Sequence, residues 1–323
     1  MSLDVDQIVD RRRLRSKLTF WRVVGVLAVV IAIGAASYAT IGRRFTEGGP
    51  HVARVVIGGL IRNDRDRVQL LDRVARSNAS AVILSIDSPG GTVTGSEQLF
   101  NALRRLAEKK PVVAVVEGMA ASGAYIAAMG ADHIVARRNA IVGSVGVIFQ
   151  FPNFTDLLKT VGVTVEDIKS SPLKASPNPY EATPPEARAA INSLVMDSYA
   201  WFKGLVGERR QLSDAKLATV TDGRVFTGHQ ALELQLVDEI GDERTARAWL
   251  AREKGVPESM RTRTWRSPAV GDEFGWLTGS VGGFLDSVGL GAVARVMSQF
   301  TEGVWERAQL DGLLALWHPR SGS

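Results

Sequence analysis

Ser122 stands in the run Glu117-Gly-Met-Ala-Ala-Ser-Gly-Ala124, directly after the apolar segment 111–116. A second small-residue turn, Asp87-Ser-Pro-Gly-Gly91, follows the similar apolar segment 81–86. A serine on a tight turn with little bulk around it lets a substrate backbone approach within bonding distance of its hydroxyl. That is how a nucleophile is presented. Ser88 and Ser144 also lie in glycine-rich turns, and both read as structural residues or neighbours of a substrate backbone.

A serine hydroxyl needs a base. His51 lies close to the N-terminal apolar stretch, His133 opens a strand near Ser122, His229 caps a helix and His318 is in the tail. None stands in an evident Asp-His-Ser arrangement, so no triad announces itself. Lysine is the alternative, used sparingly at nine residues against thirty arginines, and arginine cannot serve as a base. Lys17 precedes the apolar stretch, Lys109, Lys110, Lys159 and Lys254 fall at helix ends, and Lys203 and Lys216 lie on helices. Lys169 and Lys174 remain, in Ile168-Lys-Ser-Ser-Pro-Leu-Lys-Ala-Ser-Pro177. In a closed apolar site desolvation penalises an ammonium, and a lysine pKa can fall from about 10.4 toward neutrality.

The elements that must position these groups alternate. Segments 52–57, 81–86 and 112–116 read as two-sided buried strands, and 66–77 and 96–109 as amphipathic helices, a repeated β-α-β layout. Residues 123–129 start another helix, and 134–136, 145–149 and 164–168 read as further strands. Helical signals then cover 184–209, 213–218, 228–234 and 244–254. Residues 51–256 suffice for one α/β domain.

Residues 23–42 form an uncharged stretch of twenty residues, which as a helix rises about 30 Å and matches a hydrocarbon core. Arg11, Arg12, Arg13, Arg15, Lys17 and Arg22 precede it and only Arg43 and Arg44 follow closely. The positive-inside bias therefore places residues 1–22 in the cytoplasm and the body across the membrane. A cleavable signal peptide ending near Ser37-Tyr-Ala39 is the rival reading, but the apolar run exceeds a typical signal core. An uncleaved single anchor is expected.

The chain holds 39 basic and 34 acidic side chains, and much of the excess lies in the first 44 residues. Nucleic-acid binding is not expected. With no cysteine, disulfides, thiolate catalysis and cysteine-type zinc sites are excluded, and no metal or cofactor is called for. Residues 257–323 form an extension of uncertain role. Its glycine-rich apolar part, 274–296, is interrupted by Asp286 and Arg295, which speaks against a second span and leaves a membrane-surface segment or a packed helical hairpin.

The chain resembles bacterial signal peptide peptidase A in its short, single-catalytic-domain form, over roughly residues 50–255 plus the anchor. The resemblance rests on Asp87-Ser-Pro-Gly-Gly91, Met119-Ala-Ala-Ser-Gly123, Val142-Gly-Ser-Val-Gly146, Lys169-Ser-Ser-Pro-Leu-Lys174 and Asp222-Gly-Arg-Val-Phe-Thr-Gly228, followed by Leu236-Val-Asp-Glu-Ile-Gly241. Either glycine turn alone would be weak, since ClpP-like proteases and crotonase-type enzymes carry similar turns; the ordered set is specific. It implies a ClpP/crotonase-like repeated β-α-β core with added helices, preceded by one transmembrane helix. It implies a Ser/Lys dyad with Ser122 as nucleophile and Lys174 as general base, ahead of Lys169. The backbone N–H groups of Gly91 and Gly123 would form the oxyanion hole. It also implies a homo-oligomeric ring, octameric in the short form, in which serine and lysine of one site can come from neighbouring subunits.

Two departures stand out: the lysine lead-in is Ser170-Ser-Pro-Leu-Lys174 where the family usually has a Ser-Gly-Lys type, and Gln235 replaces a common glycine before Leu-Val-Asp. The expected activity is degradation of hydrophobic peptides, released signal peptides foremost, on the periplasmic or extracellular side of the inner membrane. The rivals are a crotonase-type acyl-CoA enzyme and a non-catalytic membrane scaffold with a protease-like fold. Because a leucine-rich tail resembles such a substrate, residues 309–317 are expected to occupy the groove and restrain activity.

Overall fold

The computed structural model describes residues 21–22, 24–27, 30–31 and 49–266 and the strand Leu313–Leu316. The expected anchor at 23–42, and most of 257–323, fall largely outside the described residues. Among the described residues no helix is long and apolar enough to cross a membrane. Residues Met1–Pro50 and His51–Ser323 form two separate compact units. Ser122 and both candidate lysines belong to the second.

The centre of this second unit is a parallel sheet. Strand β1 (His51–Ile61) is followed by helix α1 (Arg65–Arg76), β2 (Ala79–Thr92), α2 (Val93–Ala107), β3 (Val112–Ala121), α3 (Gly123–Ala128) and β4 (His133–Ala136). β1 pairs with β2, β2 with β3 and β3 with β4, all parallel. Each crossover therefore carries a helix, as parallel neighbours require. The helix starts follow from local chemistry: Asp64 accepts from the Arg67 N–H at 3.0 Å and Thr92 from the Gly95 N–H at 3.1 Å, each satisfying a donor that the first turn leaves open.

Apolar residues alternate between the two faces of these strands. Val82, Leu84 and Ile86 of β2 and Val112, Ala114 and Val116 of β3 join Leu71, Val74, Leu99, Leu103 and Leu106 of α1 and α2 in the larger core. Ala81, Ile83, Val113 and Val115 face the other way, against Ala246 and Leu250 of helix α8 (Glu243–Lys254). Both faces are covered, which is why these strands read as continuous apolar runs.

The chain between β4 and α8 supplies β5 (Ile141–Gly143), β6 (Ile148–Phe149), helix α4 (Thr155–Thr160), the long α5 (Pro185–Arg210), α6 (Asp214–Val220), β7 (Val225–Thr227), α7 (Gly228–Glu233) and β8 (Glu239–Ile240). After α8 come β9 (Thr262–Trp265), parallel to β1, and β10 (Leu313–Leu316), antiparallel to β2 and β6. Several expectations shift here. The expected strand at 164–168 is absent, for Val163 and Val165 are exposed and have no strand to pair with among the described residues. The strand expected over 145–149 shrinks to Ile148–Phe149, and β5 lies just before it. β2 runs on through Asp87-Ser-Pro-Gly-Gly91 and β3 through Glu117 to Ala121, where turns were expected. Register shifts between Gly58 and Leu60 and between Ile86 and Ser88 let these strands bend and continue.

Candidate active site

The extended ends of β2 and β3 create the site. Ser88 is the Cα partner of Ala120, so Gly91, in the last residues of β2, and Ser122, directly after β3, lie at the carboxyl ends of adjacent parallel strands. That is where open α/β sheets bind ligands. Ser122 joins β3 to α3 with φ 54° and ψ −117°, a left-handed conformation that favours glycine, and it is 1% exposed. A non-glycine residue held there stores strain, and strain of this kind collects at functional sites.

The surroundings over-determine that conformation. The Ser122 N–H donates to Gly143 O at 2.7 Å, and Ser122 O accepts from the N–H groups of Tyr125 and Ile126 at 2.9 and 3.1 Å. Its side chain makes no capping bond to α3, so the hydroxyl is not spent on the helix. Gly123 is the first residue of that helix, where an N–H has no acceptor within the helix. Gly143 belongs to β5, which β3 pairs at Met119–Ala121 and β7 pairs at Val225–Thr227. Ser144, next in line, also has positive φ (54°) and its N–H donates to Arg224 O at 2.8 Å. Arg224 closes its own turn through Asp222, and that hydrogen-bonded guanidinium holds the Asp222 carboxyl below the usual carboxylate range. The motifs at 142–146 and 222–228 are thus buttresses of the serine turn.

Gly91 is required by space. A Cβ there would lie 1.8 Å from Ile61 O, the backbone of its partner strand. Ser88, by contrast, donates its Oγ to Gly59 O at 2.6 Å and accepts from Gly90 N at 3.1 Å. Its role is to tie the bent end of β2 to β1. A cavity of about 350 Å³ opens beside the site between Ser144, Val147, Ile148, Met196, Tyr199 and Asp222. The α5 residues in that wall carried no chemical signal in the sequence, because Met196 and Tyr199 read simply as helix.

The described histidines are elsewhere. His133 pairs with Val113 at the start of β3, about 30 Å along the strand from Ser122 at roughly 3.3 Å per residue. It stacks on Trp249 and contacts Glu239 at 3.3 Å. His51 pairs with Ala79 at the start of β2, the same far end, and His229 lies 3.4 Å from Glu233 one turn along α7. Lys110 also belongs to the far end, donating to Ser77 O and Ala79 O at 2.8 and 2.7 Å.

The two candidate lysines differ sharply. Lys169 donates to Glu181 at 2.7 Å and lies 3.3 Å from Asp167. The hydrogen bond to Glu181, and then the one to Asp167, raise its pKa, so it is held as an ammonium. Lys174 is exposed in the turn 171–175, its N–H donating to Ser171 O at 3.0 Å, and its side chain makes no hydrogen bond or ion pair among the described residues. Ser122, Gly91 and Gly123 are brought to one end of the sheet. Lys174 is not hydrogen-bonded to Ser122.

Comparison with known proteins places the chain in a family. The profile of “Peptidase family S49” matches residues 104–257. “Putative protease slr0021” of Synechocystis is 39% identical over 220 residues, covering 67% of this chain and 79% of that one. The chain belongs to peptidase family S49. “Putative signal peptide peptidase SppA” of Enterococcus faecium is 29% identical over 67% of this chain and 63% of its own length. “Protease 4” of Haemophilus influenzae is 32% identical over 51% of this chain, and the match takes in 27% of that longer protein. The family-level reading from the motifs is thus met, and with it a peptidase on a mixed α/β sheet.

Proposed function

We propose that this S49 member is a serine endopeptidase in which Ser122 is the nucleophile and Lys174 the general base. The observation that carries the reading is Ser122 itself: a buried serine forced into a left-handed conformation at a strand-to-helix junction, beside a glycine that only bare backbone fits. Ser122 Oγ attacks the scissile carbonyl carbon while the lysine amine takes the hydroxyl proton. The N–H groups of Gly91 and Gly123 receive the developing oxyanion. Collapse breaks the C–N bond as the lysine returns the proton to the leaving amine, and water then hydrolyses the acyl-enzyme.

The base comes from a neighbouring subunit. Lys174 stands exposed while Ser122 is buried, and the segment around Lys174 presents Phe154, Leu157, Val161, Val163, Ile168 and Leu173 to solvent. Apolar surface of that kind is what an assembly covers, and an ammonium taken out of water gives up its proton more readily. A ring of identical subunits, eight in number, supplies each serine with the next subunit's lysine. Substrates are hydrophobic peptides, signal peptides released by preprotein cleavage foremost. They leave the bilayer on the periplasmic or extracellular side, where residues 23–42 anchor the catalytic unit with the N-terminus in the cytoplasm.

The test is hydrolysis of a fluorogenic leader peptide at matched oligomeric state. Ser122→Ala and Lys174→Ala are each inactive, and unfolding and refolding them together restores activity at about one interface in four, where an intact serine meets an intact lysine across a head-to-tail contact. Mixtures that stay inactive would place the base within the same subunit. Activity surviving in Ser122→Ala would end the serine reading altogether.

A further inference from the structure

The two ends of the parallel sheet differ in chemistry. Ser122 and Gly91 lie at the carboxyl ends of the strands, where α1, α2 and α3 begin. At the opposite end the helices finish and the chain turns into the next strand, after α1 at 76–79, after α2 at 107–112 and after α8 at 254–262. Basic residues collect there. Arg73 and Arg76 occupy the last turn of α1, Arg104 and Arg105 that of α2, and Arg252 and Lys254 that of α8. Lys109 and Arg261 continue the series in the turns beyond, both exposed. Three acids at this end already face an arginine: Asp132 with Arg104 at 3.4 Å, Asp238 with Arg210 at 2.6 Å and Glu253 with Arg252 at 2.9 Å. Arg73, Arg76, Arg105 and Lys109 are exposed and form no ion pair among the described residues, against two exposed acids in the same turns, Glu108 and Glu258.

Cations in a last helical turn complement the helix dipole, but that does not account for Lys109 and Arg261, which lie outside helices, nor for the tryptophans beside them. Trp249 stacks on His133 at 4.6 Å, with the Lys254 ammonium 5.5 Å from its ring centre. Trp265 stacks on His51 at 5.9 Å, with the Arg263 guanidinium 4.9 Å from its ring. Both indoles are partly exposed. Half-solvated tryptophan among lysine and arginine is the composition found where protein meets a membrane–water boundary. The chain also arrives at this end: His51 is the first residue of β1, and residues 43–50, which follow the apolar stretch 23–42, reach at most about 28 Å.

We propose that this end of the catalytic unit is a docking face for an anionic lipid bilayer, with Arg76, Arg105, Lys109 and Lys254 on the headgroups and Trp249 and Trp265 at the boundary. The inference rests on the anchored-peptidase reading for its purpose, but not for its chemistry. Ser122 then stands roughly 30 Å from the lipid surface, the length of β3 at about 3.3 Å per residue. A peptide reaches the site only after its apolar segment has left the bilayer, so the enzyme acts on released chains and not on segments still spanning it. Each basic residue close to an anionic surface strengthens the attachment on the order of fivefold, and removing four of them should free the face.

The test is hydrogen exchange of the full chain in zwitterionic phosphatidylcholine vesicles and in vesicles carrying about 30% phosphatidylglycerol, whose charge supplies the attraction. Amides in 76–80, 107–111 and 254–262 should exchange at least about fivefold more slowly with the anionic lipid, and those in 62–66 and 138–140 at the catalytic end should not change. About 1 M salt, which shortens the screening length to about 3 Å, should erase the difference. The combined exposed substitutions Arg76→Gln, Arg105→Gln, Lys109→Gln and Lys254→Gln should erase it too, at an unchanged urea midpoint; a variant that folds poorly leaves the salt arm to decide. No slowing at this end, slowing at the catalytic end instead, or slowing that survives salt would overturn the proposal. Equal slowing by soluble polyglutamate would replace the bilayer with an acidic polypeptide. Flotation with zwitterionic vesicles reads the anchor separately: a chain that stays in solution there, yet is protected by the anionic lipid, leaves the docking face standing and defeats the anchored reading.

Discussion

The N–H of Ser122 donates to Gly143 O at 2.7 Å, which fastens the serine's strained backbone to a strand from elsewhere in the chain. β3 alone does not impose φ 54° on a serine; β5 does so by accepting this bond while pairing with Met119, Ala120 and Ala121. The strain is therefore stored by tertiary structure.

Ser122→Gly should separate stability from chemistry. Glycine adopts this conformation freely, so the variant is expected to gain about 1 kcal/mol in urea unfolding while losing peptide hydrolysis. Ser122→Ala keeps a Cβ and the strain, and should lose hydrolysis without the gain. A glycine variant no more stable than the alanine variant would show that the turn is unstrained.

Lys169 is held as an ammonium by Glu181 and Asp167. Lys169→Gln should accordingly leave kcat/KM for a leader peptide within about threefold of wild type, with stability changed by no more than about 1 kcal/mol, as for other surface ion pairs. A loss as large as that of Ser122→Ala would transfer the base to Lys169.

Much of the core and of the serine turn was legible in the sequence, for a physical reason. Strands buried on both faces leave long apolar runs, so 81–86 and 112–116 announce themselves, and the turns beyond them are marked by glycines that space demands, as at Gly91. What was illegible is what depends on pairing. Glycine, proline and serine in Asp87-Ser-Pro-Gly-Gly91 signal a turn locally, yet partners on β1 and β10 extend them as strand. Val163 and Val165 carry strand propensity and find no partner strand among the described residues. Two-residue β6 exists through β10, far away in sequence. The exposure of Lys174 was equally invisible, since spacing does not tell whether the rest of the chain covers a loop lysine.

Gly91→Ala tests the packing of the end of β2 against β1. The added methyl would meet Ile61 O at 1.8 Å, Ile61 C at 2.5 Å and Ile61 N at 2.6 Å, all backbone, with no flexible side chain to yield. A loss of at least about 3 kcal/mol is expected, seen as a lower midpoint in urea. A variant of wild-type stability would mean that β1 and β2 can separate at their ends without cost.

Gln235 has φ 64°, a backbone conformation that favours glycine. Gln235→Gly should stabilise the fold by up to about 1 kcal/mol, the relief of left-handed strain outweighing glycine's chain entropy. The carbonyl of residue 235, which accepts from Arg210 at 2.7 Å, is retained, and the exposed side-chain bond from Lys216 is the smaller loss. Thermal unfolding would check the sign; a lower midpoint would show that the Lys216 contact matters more.

The Tyr125 phenol is fully buried in α3, directly below the site, and donates to Leu236 O at 2.8 Å. Burial pushes its pKa above the usual phenol range, against a smaller opposing pull from Arg210 and with the Asp238 charge adding to the rise. The native state thus keeps a proton that the unfolded chain releases above about pH 10. The unfolded state then binds fewer protons, so the stability that is fully present below that pH falls as pH rises through it. Tyr125→Phe has no such proton. At neutral pH it should cost about 1–2 kcal/mol for the orphaned carbonyl, but the gap to wild type should narrow between about pH 9 and 11, where the phenol would otherwise ionise on unfolding. Urea midpoints for the two proteins across that range decide it: parallel pH profiles would show that Tyr125 does not contribute to the alkaline limb.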